Sequence, residues 1–123
     1  MGKFSFSKEE RLHGRKIIQE LFNKGSSFYL HPFKIIYLKH PVQDEAHSQI
    51  LISVPSRNFG KSVDRNKIKR RAREGYRLNK ETLLPERKWL IAYIYVAKEI
   101  LPSTLIHLKI SESLVTLNNR NEK

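Results

Sequence analysis

At 123 residues, 39% hydrophobic and 29% charged, the chain suits one domain with one core and too little length for two. A formal net charge of +12 disfavours a self-contained compact monomer through self-repulsion and points to a polyanionic partner, nucleic acid first. With no cysteine, disulfides and Cys-based zinc sites are excluded, and no run of about 18 apolar residues offers a spanning helix.

The start, Met1-Gly2-Lys3-Phe4-Ser5-Phe6, lacks the apolar stretch of a secretory signal, so a cytoplasmic address is expected. Ser7-Lys8-Glu9-Glu10 has the form of a capping box. Ile17, Ile18, Leu21 and Phe22 recur at helical spacing before Lys24-Gly25, which predicts a short amphipathic helix stopped by a left-handed glycine. Phe33 to Lys39, between Pro32 and Pro41, is rich in β-branched and aromatic residues. It reads as a strand with Phe33, Ile35 and Tyr37 on one face and Lys34, Ile36 and Leu38 on the other. Gln43 to His47 reads as a loop, and Ile50, Ile52 and Val54 alternate through a second strand. An antiparallel hairpin is the shortest way to join the two.

The stretch Arg57 to Arg77 concentrates nine of the 24 lysines and arginines against two acids, Asp64 and Glu74. Arg57 to Ser62 has no periodicity and predicts a loop, followed by a helix over Val63 to Leu78. Advancing about 100° per residue places Ile68, Ala72, Gly75 and Tyr76 in one narrow apolar stripe. Lys69, Arg73, Asn66, Arg77 and Arg70 fall on the opposite side. Arg65 projects at the border, its stem lying along the sheet. Trp89 to Val96 is a nearly continuous apolar strand, covered on both faces, and Leu105 to Leu117 suits a last helix. Asn118 to Lys123 reads as a polar tail, and residues 1–6 and 118–123 are expected to be flexible flanks of the single domain.

A charge run is ordinarily a solvated face, but this one is not mixed: Lys69, Arg70, Arg73 and Arg77 have no acid interspersed on their side. Nucleic-acid contact is the stronger reading. His13, His31, His40, His47 and His107 show no ligand spacing and read as surface histidines, and Glu9-Glu10 and Asp44-Glu45 as solvated charges rather than an acid/base pair. No catalytic constellation belongs to the chain.

Ser56-Arg57-Asn58, Arg65-Asn66-Lys67, Ile68-Lys69-Arg70 and Arg73-Glu74, preceded by Arg11-Leu12 and Leu21-Phe22-Asn23-Lys24-Gly25, resemble the signature of the bacterial ribonuclease P protein subunit. The resemblance covers roughly residues 8–97. Lys67 stands where the family usually has Arg, keeping the charge but losing a planar, bidentate donor, and Pro55-Ser56 replaces residues that are often small and basic. The resemblance implies an α+β fold: a two-layer α/β sandwich with a mainly antiparallel sheet and a left-handed βαβ crossover, like the second domain of ribosomal protein S5. Periodicity alone would predict a right-handed crossover.

The resemblance further implies a protein that assists a catalytic RNA in endonucleolytic removal of the 5′ leader of precursor tRNA, with Mg²⁺ on the RNA subunit and substrate and none held by the protein. Arg57, Lys61, Arg65, Asn66, Lys67, Lys69, Arg70, Arg73 and Arg77 would contact the RNA subunit. Ile18, Phe22, Phe33, Ile35 and Tyr37 would line a cleft for the leader, though core packing is the competing role for these apolar side chains. No membrane or obligate protein partner is implied. A structural RNA-binding protein without a processing role is the alternative. A DNA-binding helix is disfavoured, since no helix-turn-helix pair precedes the basic helix.

Overall fold

The computed structural model describes residues 8–43 and 47–120. The proposed cap at Ser7, the flank 1–6, the Asp44-Glu45 pair and residues 121–123 lie outside these. After a 3-10 turn at Lys8–Glu10, the order is α1 (Arg15–Lys24), β1 (Ser26–Leu30), β2 (Phe33–Lys39), β3 (Gln49–Ser53), α2 (Ser62–Asn79), a 3-10 turn at Lys80–Thr82, β4 (Trp89–Tyr95) and α3 (Ser103–Asn118).

The four strands form one mixed sheet in the order β1-β2-β4-β3. β2 pairs antiparallel with β1 and with β4, placing Ile35 opposite both Phe28 and Tyr93. β3 does not form the expected hairpin with β2. It pairs in parallel with β4, Leu51 opposite Ala92, and α2 is the crossover that parallel neighbours require. The deciding factor is the long apolar run of β4, which occupies the centre of the sheet and takes both β2 and β3 as partners.

Alternation along β2 divides the molecule. Phe33, Ile35 and Tyr37 join Ile50, Ile52, Ile91, Tyr93 and Tyr95 in the main core with Ile68, Ala72 and Tyr76 of α2 and Ile106, Ile110, Leu114 and Leu117 of α3. Ile36 turns to the other face, where it makes a smaller core with Leu90 and Ala92 of β4, Leu21 of α1 and Leu12 ahead of α1. Helices therefore flank both faces of the sheet, where two layers were expected. The Tyr93 hydroxyl donates to Ser113 Oγ at 2.7 Å inside the main core, and burial pushes its ionisation well above the usual phenol range.

Gly25 ends α1 in an extended conformation (φ −72°, ψ 155°), not the left-handed one expected. Its role is close approach. A Cβ there would lie 2.5 Å from the Leu21 carbonyl oxygen and 2.9 Å from that of Tyr37, and backbone atoms cannot yield as a side-chain tip can. Gly25→Ala is expected to destabilise the fold by about 1–3 kcal/mol, read as a lowered urea midpoint at unchanged slope.

Several polar residues are more committed to the fold than their spacing suggested. Glu10, expected as a solvated charge, is buried and pairs with Lys80 Nζ at 2.8 and 2.9 Å, tying the first turn to the exit of α2. His40 is buried rather than a surface histidine. The Val42 amide donates to its Nδ1, which leaves Nε2 to donate to Gln49 Oε1 at 3.2 Å. The expected tail begins later than Asn118, whose side chain accepts from the Leu84 amide and donates to the Thr82 carbonyl. Arg120 lies over the Phe28 ring at 5.2 Å and the Tyr37 ring at 5.8 Å.

Candidate nucleic-acid interface

The basic loop between β3 and α2 is anchored at its middle. The Asn58 and Phe59 amides donate to the Pro55 carbonyl, and the Phe59 ring is buried 5.9 Å from that of Tyr95. Arg57 and Lys61 on either side remain exposed. Arg65, from the first turns of α2, reaches back and donates through Nη1 to the carbonyls of Phe59 and Gly60 at 2.7 and 3.0 Å. Its guanidinium thus braces the loop, a role the helical projection missed when it laid the stem along the sheet.

The helix itself follows its pattern. Ile68, Ala72, Gly75 and Tyr76 are its buried residues, and Asp64 sits in the first turn, where an acid favours the helix dipole. Asn66 and Arg70 are exposed, while Lys67, Lys69, Arg73 and Arg77 are half-buried. Arg77 pairs with Glu74. Among the described residues, Arg57, Lys61, Lys67, Lys69, Arg70 and Arg73 take part in no salt bridge. Such a row of cations repels itself by a few tenths of a kcal/mol per i,i+4 pair, so the packed stripe sustains it and an anion would relieve it.

Arg73 marks where this flank meets the sheet. It lines a recess with Arg11, Leu12, Ile50, Leu51 and Ile52, and desolvation, followed by the nearby Arg11 charge, lowers its pKa below the ordinary arginine value. Arg11, a cation the residue pattern did not single out as a contact, is brought to the site by its bridge to Ile50 of β3. The meeting point of basic flank and sheet is therefore Arg73 with Arg11, not Arg65.

The structure separates the five expected cleft residues. Phe33, Ile35 and Tyr37 are at most 1% exposed. They face α2 and α3 in the main core, so they cannot touch a ligand; this corrects their assignment to the cleft. Ile18 and Phe22 lie on α1, over the other face, Phe22 being 43% exposed. Of the sheet residues on that face, Ile36, Leu90 and Ala92 are buried, while Leu38, Leu51 and Ile94, like Ile18, are only partly buried. By strand alternation, exposed Tyr29 and Lys34, which are register partners, belong to this face as well. Choosing the aromatic face of β2 over its aliphatic face misdirected the sequence reading.

Among the described residues no group of three or more His, Asp or Glu could hold a metal ion, and no helix is long and apolar enough to cross a membrane.

These features define a small basic α+β protein of the RNA-binding class, its charge held on a rigid crossover helix. The family model described as ribonuclease P matches residues 6–110. The ribonuclease P protein component of Porphyromonas gingivalis is 34% identical over 119 residues, covering 93% of this chain and 87% of that one. That of Dictyoglomus thermophilum is 36% identical over 91 residues, covering 74% and 72%. Among solved structures, the RNase P protein from Thermotoga maritima superposes with a TM-score of 0.73 at 25% identity, covering 92% of this chain and 99% of that chain. A Staphylococcus aureus RNase P protein mutant gives 0.73 at 26% identity, covering 89% and 88%. The chain belongs to the bacterial ribonuclease P protein component family, the protein subunit of the endoribonuclease that processes the 5′ leader of precursor tRNA. The alternative of a structural RNA-binding protein without a processing role is thereby set aside.

Proposed function

We propose that the outer flank of α2 and the Arg57–Lys61 loop dock on the catalytic RNA while the single-stranded leader lies across the half-covered sheet face beside α1. The observation behind this reading is the junction at Arg73 and Arg11, where the basic flank of α2 runs into a recess and an apolar sheet face bearing Leu51. Arg57, Lys61, Asn66, Lys67, Lys69, Arg70 and Arg73 contact backbone phosphates and sugars, which recognises structured RNA by charge and shape. Arg65 holds the loop in place for them, and Arg77 joins them while shared with Glu74. Ile18, Phe22, Ile36, Leu38, Leu51 and Ile94, with Tyr29 and Lys34 at the margin, form the leader surface; its partly exposed apolar side chains suit unpaired bases of any sequence.

In this reading the RNA subunit with its Mg²⁺ performs the phosphodiester hydrolysis, and the chain supplies position and charge without a metal site of its own. The protein acts as one RNA-binding domain in the cytoplasm. The β3-α2-β4 crossover is left-handed, as in the fold of its family, and the relation to ribosomal protein S5 follows from it.

Holoenzyme reconstituted from this chain and the catalytic RNA should bind precursor tRNA more tightly than mature tRNA. Equal affinities would remove the leader from the account. Phe22→Ala should erode that preference by the loss of one stacked base, on the order of 5- to 100-fold, while leaving RNA-subunit binding intact. Filter-binding titrations with a leader-length series measure both.

A further inference from the structure

We propose that the groove between α2 and the start of α3 is a second phosphate site, which grips one phosphodiester of the RNA subunit with Arg70, Arg71 and His107. The inference rests on the docking reading above and extends the footprint from α2 onto α3.

A cavity of about 290 Å³ lies here, lined by Arg70, Arg71, Glu74, Ser103 and His107. Nε2 of His107 is buried and has no hydrogen-bond partner, which in a native protein calls for an explanation. Gly75 supplies the geometry. A Cβ at that position would stand 3.1 Å from His107 Cδ2 and 3.2 Å from its Cα, so the glycine lets α2 close on α3 and sets the imidazole against the basic helix. Arg71 is held by an Nη1 donation to the Leu101 carbonyl at 2.7 Å, immediately before Pro102 and the first turn of α3. That turn has no side-chain cap, which leaves its leading amides available to an anion.

Glu74 is the one acid lining the cavity, and it is paired with Arg77. Two guanidiniums and an imidazole therefore face a carboxylate whose charge is already matched. Guanidinium groups recognise phosphate oxygens through paired N–H donors, and the unpartnered His107 Nε2 adds a third polar group to the lining. Arg70 belongs both to this groove and to the exposed flank of α2, so a backbone crossing that flank arrives at the cavity without a change of course.

The test is the affinity of the full chain for the ribonuclease P catalytic RNA over a series of monovalent salt concentrations. His107→Leu fills the groove with an apolar side chain, and Arg71→Met keeps the stem but removes the guanidinium. Each should weaken binding, and Arg71→Met should also lower the log–log salt slope by about 0.7–0.9, with far-ultraviolet circular dichroism and thermal midpoint showing the fold retained. Unchanged affinity in both folded variants, or an unchanged slope in Arg71→Met, overturns the proposal. The docking reading itself is judged separately, by whether Lys69→Ala with Arg73→Ala, neither of which lines the groove, lowers the same slope. Nitrogen-15 spectra of the His107 ring provide a second measurement: its Nε2 resonance should move on addition of the RNA. If inorganic phosphate moves that resonance while the RNA leaves it in place, the groove is a free-anion site and the RNA assignment falls.

Discussion

Tyr37→Ala is expected to lower folding stability by about 3–5 kcal/mol, the range for removing a large aromatic from a core. For a chain of this size that is roughly 10–20 °C in thermal midpoint. The ring is 1% exposed and meets Trp89 edge-on at a centroid distance of 5.7 Å, with Phe28 tilted at 5.6 Å. Arg120 closes over it from the end of the chain. Deleting the ring opens a cavity in the main core and strips contacts from β1, β4 and Arg120 at once. Thermal or urea unfolding of the isolated protein measures the loss. An unchanged midpoint accompanied by reduced preference for leader-bearing tRNA would return Tyr37 to the cleft.

Replacing Arg70 and Arg73 together by alanine should act in the opposite compartment, on RNA binding with little change in the fold. Arg70 is exposed and Arg73 half-buried, and neither has an acidic partner among the described residues. Removing Arg73 also relieves its repulsion with Arg11, so stability should stay within about 0.5 kcal/mol, as for surface changes in general. Loss of two phosphate contacts should reduce the salt slope for the catalytic RNA by about 1.4–1.8. A slope equal to that of the unmodified protein would place the docking surface on another face.

The basic helix was largely legible because its pattern is local. The stripe of Ile68, Ala72, Gly75 and Tyr76 emerges from period alone, and those four are the residues buried. Helix α1, the strands at Phe33 and Trp89 and the last helix follow from similar local signals. Pairing was less legible, since no residue in β3 encodes whether β2 or β4 will be its neighbour, and the parallel choice depends on what the rest of the sheet offers. β1 escaped notice because Ser26-Ser27 looks like a turn and the strand is only five residues long. The leader surface was misplaced for another reason. Both faces of β2 are apolar, so alternation separates Ile36 and Leu38 from Phe33, Ile35 and Tyr37 without saying which set lies under helices. The roles of Glu10 and His107 depend on residues far away in the sequence, and that of Arg65 on the backbone path of the preceding loop, and no spacing reveals them.

Because α2 connects two adjacent parallel strands, both of its ends are pinned by the sheet, and Arg65 fastens the entering loop to its first turns. The cations therefore cannot fan out independently to lower their mutual energy, as they would on a disordered basic arm. Their ordering entropy is spent when the chain folds, and little remains to be lost when RNA arrives. A basic arm of equal charge would follow whatever polyanion it met. This helix presents a fixed spacing of positive charge, so an RNA is selected by whether its phosphates match that spacing, and charge becomes a means of discrimination as well as attraction.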